Sequence, residues 1–222
     1  MKIAILTGAG ISAESGLGTF RDEDGLWTRY DLNEVATPEG FARNPGLVHD
    51  FYNARRANCA AAQPNAAHVA LSLLARSHNV TLITQNVDNL HERAGSTDVI
   101  HMHGELMRAL CGACGHRWDA PLEMHPDDPC PHCAQPATRP DVVWFGEIPY
   151  QMDRIAEAVA KADLFVAIGT SAEVYPAAGL VELARGDTLE INLEPSARAS
   201  AFDARRFGPA TEIVPAWVAE LA

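Results

Sequence analysis

Short apolar runs alternate with longer segments of helical period along this chain. Residues 3–6 (Ile-Ala-Ile-Leu), 80–83, 99–100, 142–146, 164–168, 188–193 and 211–214 read as strands, and those at 3–6 and 164–168 carry the unbroken apolar run of a buried parallel strand. Between them, the stretch up to about 63 reads as helical. Asn44-Pro45 fits an N-cap followed by proline at the first helical position. Leu47, Val48, Phe51 and Ala54 then share one helix face, with Tyr52 and Arg55, three apart, on a neighbouring face. Gln63-Pro64-Asn65 opens a second helix carrying Val69, Ala70, Leu73 and Leu74, and further helices are expected at 152–161, 176–185 and 215–221. Strands alternating with helices imply an α/β fold with a doubly wound parallel sheet. From about 107 to 140 the periodicity gives way to cysteines, prolines and charges, the mark of an inserted metal module.

Composition changes this picture little. The chain has 222 residues, 47% of them hydrophobic, enough for one large domain with a small insertion. No run of about 18 apolar residues suggests a membrane span, and the N-terminal apolar stretch is too short for a signal peptide, so a cytoplasmic location is expected. A net charge of −12 argues against a nucleic-acid backbone as partner. It suits a cationic protein segment, and it serves solubility equally well. Four of the five cysteines form Cys111-x2-Cys114 and Cys130-x2-Cys133, a spacing that suits one tetrahedral, closed-shell structural zinc. His116 and His132 are the substitute ligands at hand. Cys59, in an Ala-rich helical stretch, reads as a small buried hydrophobe.

The first strand runs straight into Thr7-Gly8-Ala9-Gly10, and a helix opens at Ile11 with Ser12 and Ser15 near its start. A strand, a glycine turn and a helix N-terminus make a cradle for a pyrophosphate. An ordinary strand-to-helix turn gives the same pattern, and Ala13 stands where the third glycine of the dinucleotide fingerprint belongs. The following segment, Gly16 to Arg21, reads as a loop closing over a bound dinucleotide. Gln85, Asn86 and Asp88 follow the second strand, where α/β sheets bind ligands, although Asn86 and Asp88 are also ordinary helix caps. His103 precedes Gly104 and is a candidate general base, with His101 a rival on the same face if the strand continues. Gly169-Thr170-Ser171 and Asn192-Leu193-Glu194 end two later strands at the same crevice, Glu194 being a candidate ribose acceptor.

Taken together, GAGIS, TQNVDNLH, HMHGE, the four cysteines, VVWFGE, IGTS and NLEP resemble, in order, the motifs of the sirtuins, NAD-dependent protein-lysine deacylases. The resemblance spans essentially the whole chain. Met102 replaces the usual leucine before the catalytic histidine, and Gly18 replaces a commoner proline or arginine. The resemblance implies a Rossmann-like core at about 1–18, 64–103 and 142–222, with a small helical and zinc-ribbon domain inserted at about 19–63 and 104–141. It implies that His103 is the base, with Gln85 and Asn86 ordering the nicotinamide ribose and the attacking groups. Asp88 would receive the nicotinamide carboxamide. NAD+ would be held by Gly8, Ala9, Gly10, Ser12, Ala13, Glu14, Thr19, Phe20, Arg21, Trp27, Gln85 through Asp88 with Val87, Gly169, Thr170, Ser171, Asn192, Leu193, Glu194 and Ala210, the last placed before the final strand. Phe-Tyr-Asn-Ala-Arg-Arg at 51–56 resembles the CobB-like class that removes acidic acyl groups, which makes Tyr52 and Arg55 readers of a succinyl or malonyl carboxylate. The implied partners are acylated-lysine proteins, with no nucleic acid or membrane, and the implied state is a monomer. An ADP-ribosyltransferase on the same fold and a non-catalytic zinc-ribbon module that senses NAD are the rival expectations.

Overall fold

The computed structural model describes residues 1–18 and 30–221. Thr19, Phe20, Arg21 and Trp27, expected at the cofactor, lie outside the described residues. The first half of the chain forms β1 (Lys2–Thr7), α1 (Gly10–Ala13), α2 (Leu32–Val35), α3 (Pro38–Arg43), α4 (Pro45–Ala61), α5 (Ala66–Leu74), β2 (Asn79–Thr84), α6 (Leu90–Arg93) and β3 (Ile100–His101). The second half forms β4 (Gly104–Cys111), β5 (Arg117–Asp119), β6 (Thr138–Val142), α7 (Met152–Lys161), β7 (Leu164–Ile168), β8 (Asp187–Asn192), β9 (Ala204–Phe207) and α8 (Ala210–Glu220), with a 3-10 segment at Ala177–Leu183.

Six strands form one sheet in the order β3-β2-β1-β7-β8-β9, and every neighbouring pair is parallel. The strand order reverses direction between β1 and β7, which makes their carboxyl ends the natural crevice of the sheet. Alternate residues of β1 serve opposite faces. Ile3 and Ile5 pack with Leu71 and Leu74 of α5 and Val214 and Trp217 of α8. Ala4 and Leu6 pack with Ile155 and Val159 of α7 and with Leu180. Both faces are covered, which is why the strand reads as an unbroken apolar run.

The helix caps are local and explicit. Asn44 Oδ1 accepts from the Leu47 amide at 3.2 Å, with Pro45 first in α4. In α5 the Asn65 side chain accepts from the Ala67 amide at 3.0 Å, while His68 Nδ1 accepts from the Asn65 amide at 3.3 Å, closing a capping box with a histidine at its third position.

A second sheet, antiparallel in the order β5-β4-β6, carries the cysteine module. A separate core of Val35, Val48, Phe51, Tyr52, Leu106, Val142 and Trp144 joins it to the short helices and α4. Asn53 and Arg56 pin α4 to the loop between β5 and β6. Asn53 Nδ2 donates to the Met124 carbonyl at 3.0 Å, and Arg56 Nε to the Leu122 carbonyl at 3.1 Å. Arg56 is fully buried there.

Four expectations are corrected. Residues 211–214 are not a strand, because Val214 and Trp217 sit one helical turn apart and pack on the sheet within one continuous helix, α8. Pro215 removes one backbone hydrogen bond without ending that helix. Ala210 therefore opens the last helix instead of preceding the last strand, which is β9, an edge strand with no apolar run. Only Val142 of 142–146 is strand; the backbone beyond it is spent on other partners, Val143 N on the His103 carbonyl at 2.8 Å and Phe145 N on the Ala36 carbonyl at 2.9 Å. The helix expected at 176–185 is the tighter 3-10 segment.

Candidate functional site

At the carboxyl ends of β1, β2, β7 and β8 lies a cleft of about 1090 Å³. Its shape starts with glycine. A Cβ on Gly8 would lie 2.7 Å from the Gly169 carbonyl oxygen, and one on Gly10 would lie 2.7 Å from Gly169 Cα. Gly169 itself holds φ +62°. The two turns are thus in backbone contact, and the Gly10 amide donates to the Gly169 carbonyl at 2.8 Å.

Side chains from the other turns converge on this pair. Gln85 Nε2 donates to Thr170 Oγ1 at 2.9 Å, and Asn192 Nδ2 donates to the Thr170 carbonyl at 2.9 Å. Asn86 Nδ2 donates to the Gly8 carbonyl at 3.0 Å and to Ser12 Oγ at 3.2 Å. Ser12 Oγ donates to Asp88 Oδ2 at 3.0 Å, and Asp88 Oδ1 accepts from the Leu90 amide at 3.1 Å. Burial raises the Asp88 pKa, while those two donors act to lower it. Asp88 thus closes a turn just before the Asn89 N-cap of α6 and lines the cleft. Glu14, beside the glycine turn, accepts from the Thr211 amide at 3.0 Å and from its hydroxyl at 2.7 Å, which fastens the start of α8 to the cleft.

His103 enters from the turn between β3 and β4. Its Nδ1 meets the Gln85 carbonyl oxygen at 3.0 Å. Burial holds its pKa below the usual imidazole value, against the upward pull of that carbonyl. His101 takes another path. Strand β3 stops at His101, so the two rings do not continue one alternating face. His101 is buried against the Asn86 carbonyl and the Glu92 carboxylate, at 3.2 and 2.7 Å. Burial works against charge on His101, but the Glu92 carboxylate prevails and its pKa is raised.

Tyr52 and Arg55 both reach the cleft from α4. Trp144 Nε1 donates to the Tyr52 hydroxyl at 2.9 Å, and the Arg55 guanidinium lies 5.4 Å from the Tyr52 ring centre. Burial lowers the Arg55 pKa, with Tyr52 and Asp88 opposing, and an arginine stays charged at neutral pH.

Apart from the rival His101, every nucleotide, catalytic and acyl candidate among the described residues lines this one cleft: Gly8, Ala9, Gly10, Ser12, Ala13, Glu14, Tyr52, Arg55, Gln85, Asn86, Val87, Asp88, His103, Gly169, Thr170, Ser171, Asn192, Leu193, Glu194 and Ala210. Asn58, Cys59, Glu173 and Tyr175 also line it and were not anticipated. Cys59 and Asn58 follow Tyr52 and Arg55 at helical spacing, a signal available in the sequence.

The four cysteines form a separate cluster, their sulfurs all within 4.8 Å of one another. Cys111 and Cys133 sulfurs lie 3.6 Å apart and those of Cys114 and Cys130 3.8 Å apart. A tetrahedral zinc with Zn–S of about 2.3 Å has sulfur edges of about 3.8 Å. Two similar knuckles present them. Gly115 N donates to the Cys111 carbonyl and Ala134 N to the Cys130 carbonyl, both at 2.9 Å, and each donor residue has positive φ. The donor set and its spacing fit one structural Zn2+. His116 and His132 stack on each other at 5.2 Å outside the tetrad.

A cleft between the glycine turns of a doubly wound parallel sheet, floored by Asn and Asp and walled by an imidazole, defines an α/β nucleotide-binding protein carrying an inserted metal module. The Sir2 family model matches residues 8–176, and the chain belongs to the Sir2 family. A relative from Caulobacter vibrioides, described as an NAD-dependent protein deacylase, is 61% identical over 100% of this chain and 97% of its own length. One of the same description from Salmonella typhimurium is 53% identical over 98% of this chain and 82% of the relative. Among solved structures, a Sir2 homolog–NAD complex superposes with a TM-score of 0.91 at 41% identity, covering 99% of this chain and 88% of that one.

Proposed function

We propose that this protein is an NAD-dependent protein-lysine deacylase of the CobB-like class, removing acetyl and also succinyl and malonyl groups. The observation that carries the proposal is the placing of His103, by way of the Gln85 carbonyl, beside the asparagine and glycine turns of a nucleotide cleft. NAD+ and one water are consumed: the acyl-lysine carbonyl oxygen would displace nicotinamide at the ribose carbon, and water would complete the transfer, leaving free lysine and O-acyl-ADP-ribose.

The chain's own residues divide this work. A carbonyl only accepts, so His103 carries its proton on Nδ1 and keeps the Nε2 lone pair. It then takes a proton through the ribose hydroxyls so that a ribose oxygen attacks the acyl carbon. Gln85 and Asn86, each already held by a backbone-anchored partner, order the nicotinamide ribose. Asp88 accepts from the carboxamide. Gly8 to Glu14 and Gly169 to Ser171 hold the phosphates and adjoining ribose, and Asn192, Leu193, Glu194 and Ala210 the adenosine end. Thr19, Phe20, Arg21 and Trp27 complete the cofactor side. Arg55, assisted by Tyr52, presents a charged fork to an acidic acyl group. The four cysteines hold zinc as a strut, since a filled tetrahedron leaves no position for water.

We take the Rossmann-like core as about 1–18, 64–103 and 142–222 and the inserted small domain as about 19–63 and 104–141, with the acyl-lysine entering between them along 143–146. The partner is an acylated-lysine segment of a protein, not nucleic acid, and the protein acts as a monomer. A reducing compartment suits four thiolate ligands, and we place the protein in the cytoplasm. No described helix is long and apolar enough to cross a membrane.

The test is NAD-dependent turnover of one peptide bearing acetyl-, succinyl- or malonyl-lysine, with products read by mass spectrometry. Free lysine peptide with O-acyl-ADP-ribose is the expected result. Protein-bound ADP-ribose without deacylation would favour a transferase, and NAD binding without turnover a sensing module.

A further inference from the structure

Asp141 is a buried carboxylate that none of these roles uses. It lies in β6 one residue before Val142, facing the point where the register of β4 slips between Gly104 and Ala109. Its carbonyl oxygen would be only 2.2 Å from a Cβ on Gly104, so its main chain presses on the turn that carries His103. Its side chain takes two donors on separate oxygens. The Tyr150 hydroxyl donates to Oδ1 at 2.9 Å, and Arg117 Nε donates to Oδ2 at 2.9 Å. Arg117 belongs to β5 of the metal module, and Tyr150 closes the loop 143–149. That loop lines the cleft with Val143, Trp144, Phe145 and Pro149. Both its ends hang from the His103 turn: the Val143 amide donates to the His103 carbonyl at 2.8 Å, and the Tyr150 amide to the Met102 carbonyl at 2.9 Å. Its opening half is braced from within, the Glu147 carboxylate accepting from the Trp144 amide at 2.8 Å and from Arg139 at 2.7 and 2.9 Å. Phe145 and Ile148 are 49% and 82% exposed, so the tip gains little from packing and its place is set by polar ties. The closing end is tied by Tyr150, through its amide and through its hydroxyl.

We infer that Asp141 is a positioning residue for the acylated segment: by holding the Tyr150 hydroxyl it fixes the closing end of the 143–149 loop, and so sets the affinity for the acyl peptide without touching that for NAD+. The assignment rests on the acyl-lysine entering along 143–146, as proposed above. The two donors contribute differently. The Tyr150 bond is charge-assisted at a buried acceptor, which makes it the stronger tie. The Arg117 side chain is 45% exposed, so its ion pair is screened by solvent and weaker. Its service is to compensate the buried charge, which would otherwise be costly, and to hang the base of the loop on the metal module.

Tyr150→Phe is the deciding variant. It removes one hydroxyl, keeps the ring that lies 5.2 Å from the Arg117 guanidinium, and leaves Asp141 its cationic partner, so the fold is retained. KM for the acyl peptide, KM for NAD+, kcat, zinc content and Tm are measured. The peptide KM is expected to rise about 10-fold, the low end for a hydrogen bond to a charged group. KM for NAD+, kcat and zinc content are expected to stay near those of the parent. In an Asp141→Ala background the same change is expected to add nothing, because its effect runs through that carboxylate. A peptide KM at the parental value in Tyr150→Phe overturns the inference. A rise of both KM values in step with a falling Tm also overturns it, since the bond would then serve stability alone. An undiminished effect of Tyr150→Phe in the Asp141→Ala background does the same. The parent protein tells the failures apart. No turnover of acyl peptide by the parent removes the deacylase reading and this inference with it. Parental turnover, with an unmoved peptide KM in Tyr150→Phe, removes this inference alone.

Discussion

His103 Nδ1 and the Gln85 carbonyl oxygen are 3.0 Å apart, and Gln85 also sends its amide across the cleft to Thr170. One residue therefore sets the tautomer of His103 while its side chain ties two turns of the cleft together. His103→Ala is expected to lower NAD-dependent deacylation by about 10²–10⁴-fold. NAD+ binding by calorimetry should persist, because the glycine turns do not depend on the ring. Near-parental turnover in this variant would remove His103 from its role.

The same ring gives a pH dependence. Burial lowers the His103 pKa, so the working neutral form extends to lower pH than for a free imidazole, whose value is about 6.5. As pH falls through the lowered pKa, the ring charges and kcat/KM drops. The acid limb should therefore be centred below about pH 6.5, with a plateau from there to pH 8. His103→Ala should lose that limb in its residual activity. A limb centred above 7 would contradict the burial of the base.

Zinc analysis should return about one ion per chain, since the four sulfurs make one tetrahedron. Cys111→Ser or a strong chelator should lower Tm markedly, because metal binding contributes directly to folding of this module. Full stability and activity in metal-free protein would exclude the strut role.

Acyl selectivity should divide between Tyr52 and Arg55. A hydrogen bond to a charged group contributes about 1.5–3 kcal/mol, so Arg55→Met should cost about 10–100-fold in kcat/KM on succinyl-lysine and much less on acetyl-lysine. Tyr52→Phe carries a second consequence. It strips Trp144 Nε1 of its buried acceptor, at a cost of about 1–3 kcal/mol in stability. Its selectivity loss should therefore come with a lowered Tm, whereas that of Arg55→Met should not. Equal losses on both peptides would mean that the pair supports the fold only.

The buried histidines make the fold acid-sensitive. His68 and His91 are pushed by burial to pKa values of about 4 and about 3, against about 6.5 in an unfolded chain. Between those limits the unfolded state binds more protons, so stability rises with pH and is lost as pH falls below about 6.5. Tm should decline by several degrees per pH unit toward pH 4, and His91→Gln should flatten that slope. An unchanged slope in the variant would assign the acid loss to other groups.

What the sequence made legible follows from how locally each feature is determined. Strands β1 and β7 are covered on both faces and so show as plain apolar runs, and the Asn44 and Asn65 caps announce α4 and α5. The edge strand β9 is bonded to β8 alone and reads Ala-Arg-Arg-Phe, with no apolar run to mark it. Pro215 looked like an element boundary because propensity is local, whereas the packing of Val214 and Trp217 that keeps α8 whole is not. Among the site residues, the cleft-lining turns were legible as motifs. The family resemblance, not the local pattern, singled out His103 over His101, and the Trp144–Tyr52 bond joins residues 92 apart.

The contact among Gly8, Gly10 and Gly169 reaches beyond fit. A Cβ on Gly169 would meet the Ile11 amide nitrogen at 2.5 Å, so each of the three glycines is blocked by main chain, Gly8 by Thr170 Cβ at 2.9 Å as well. The turn after β1 and the turn after β7, about 160 residues apart in sequence, are in this sense a single casting. Trimming a neighbouring side chain would leave the main-chain clash at each position in place. The two ends of the nucleotide cleft are accordingly inherited together or lost together, and any drift in cofactor preference must come from the side chains that ring this knot.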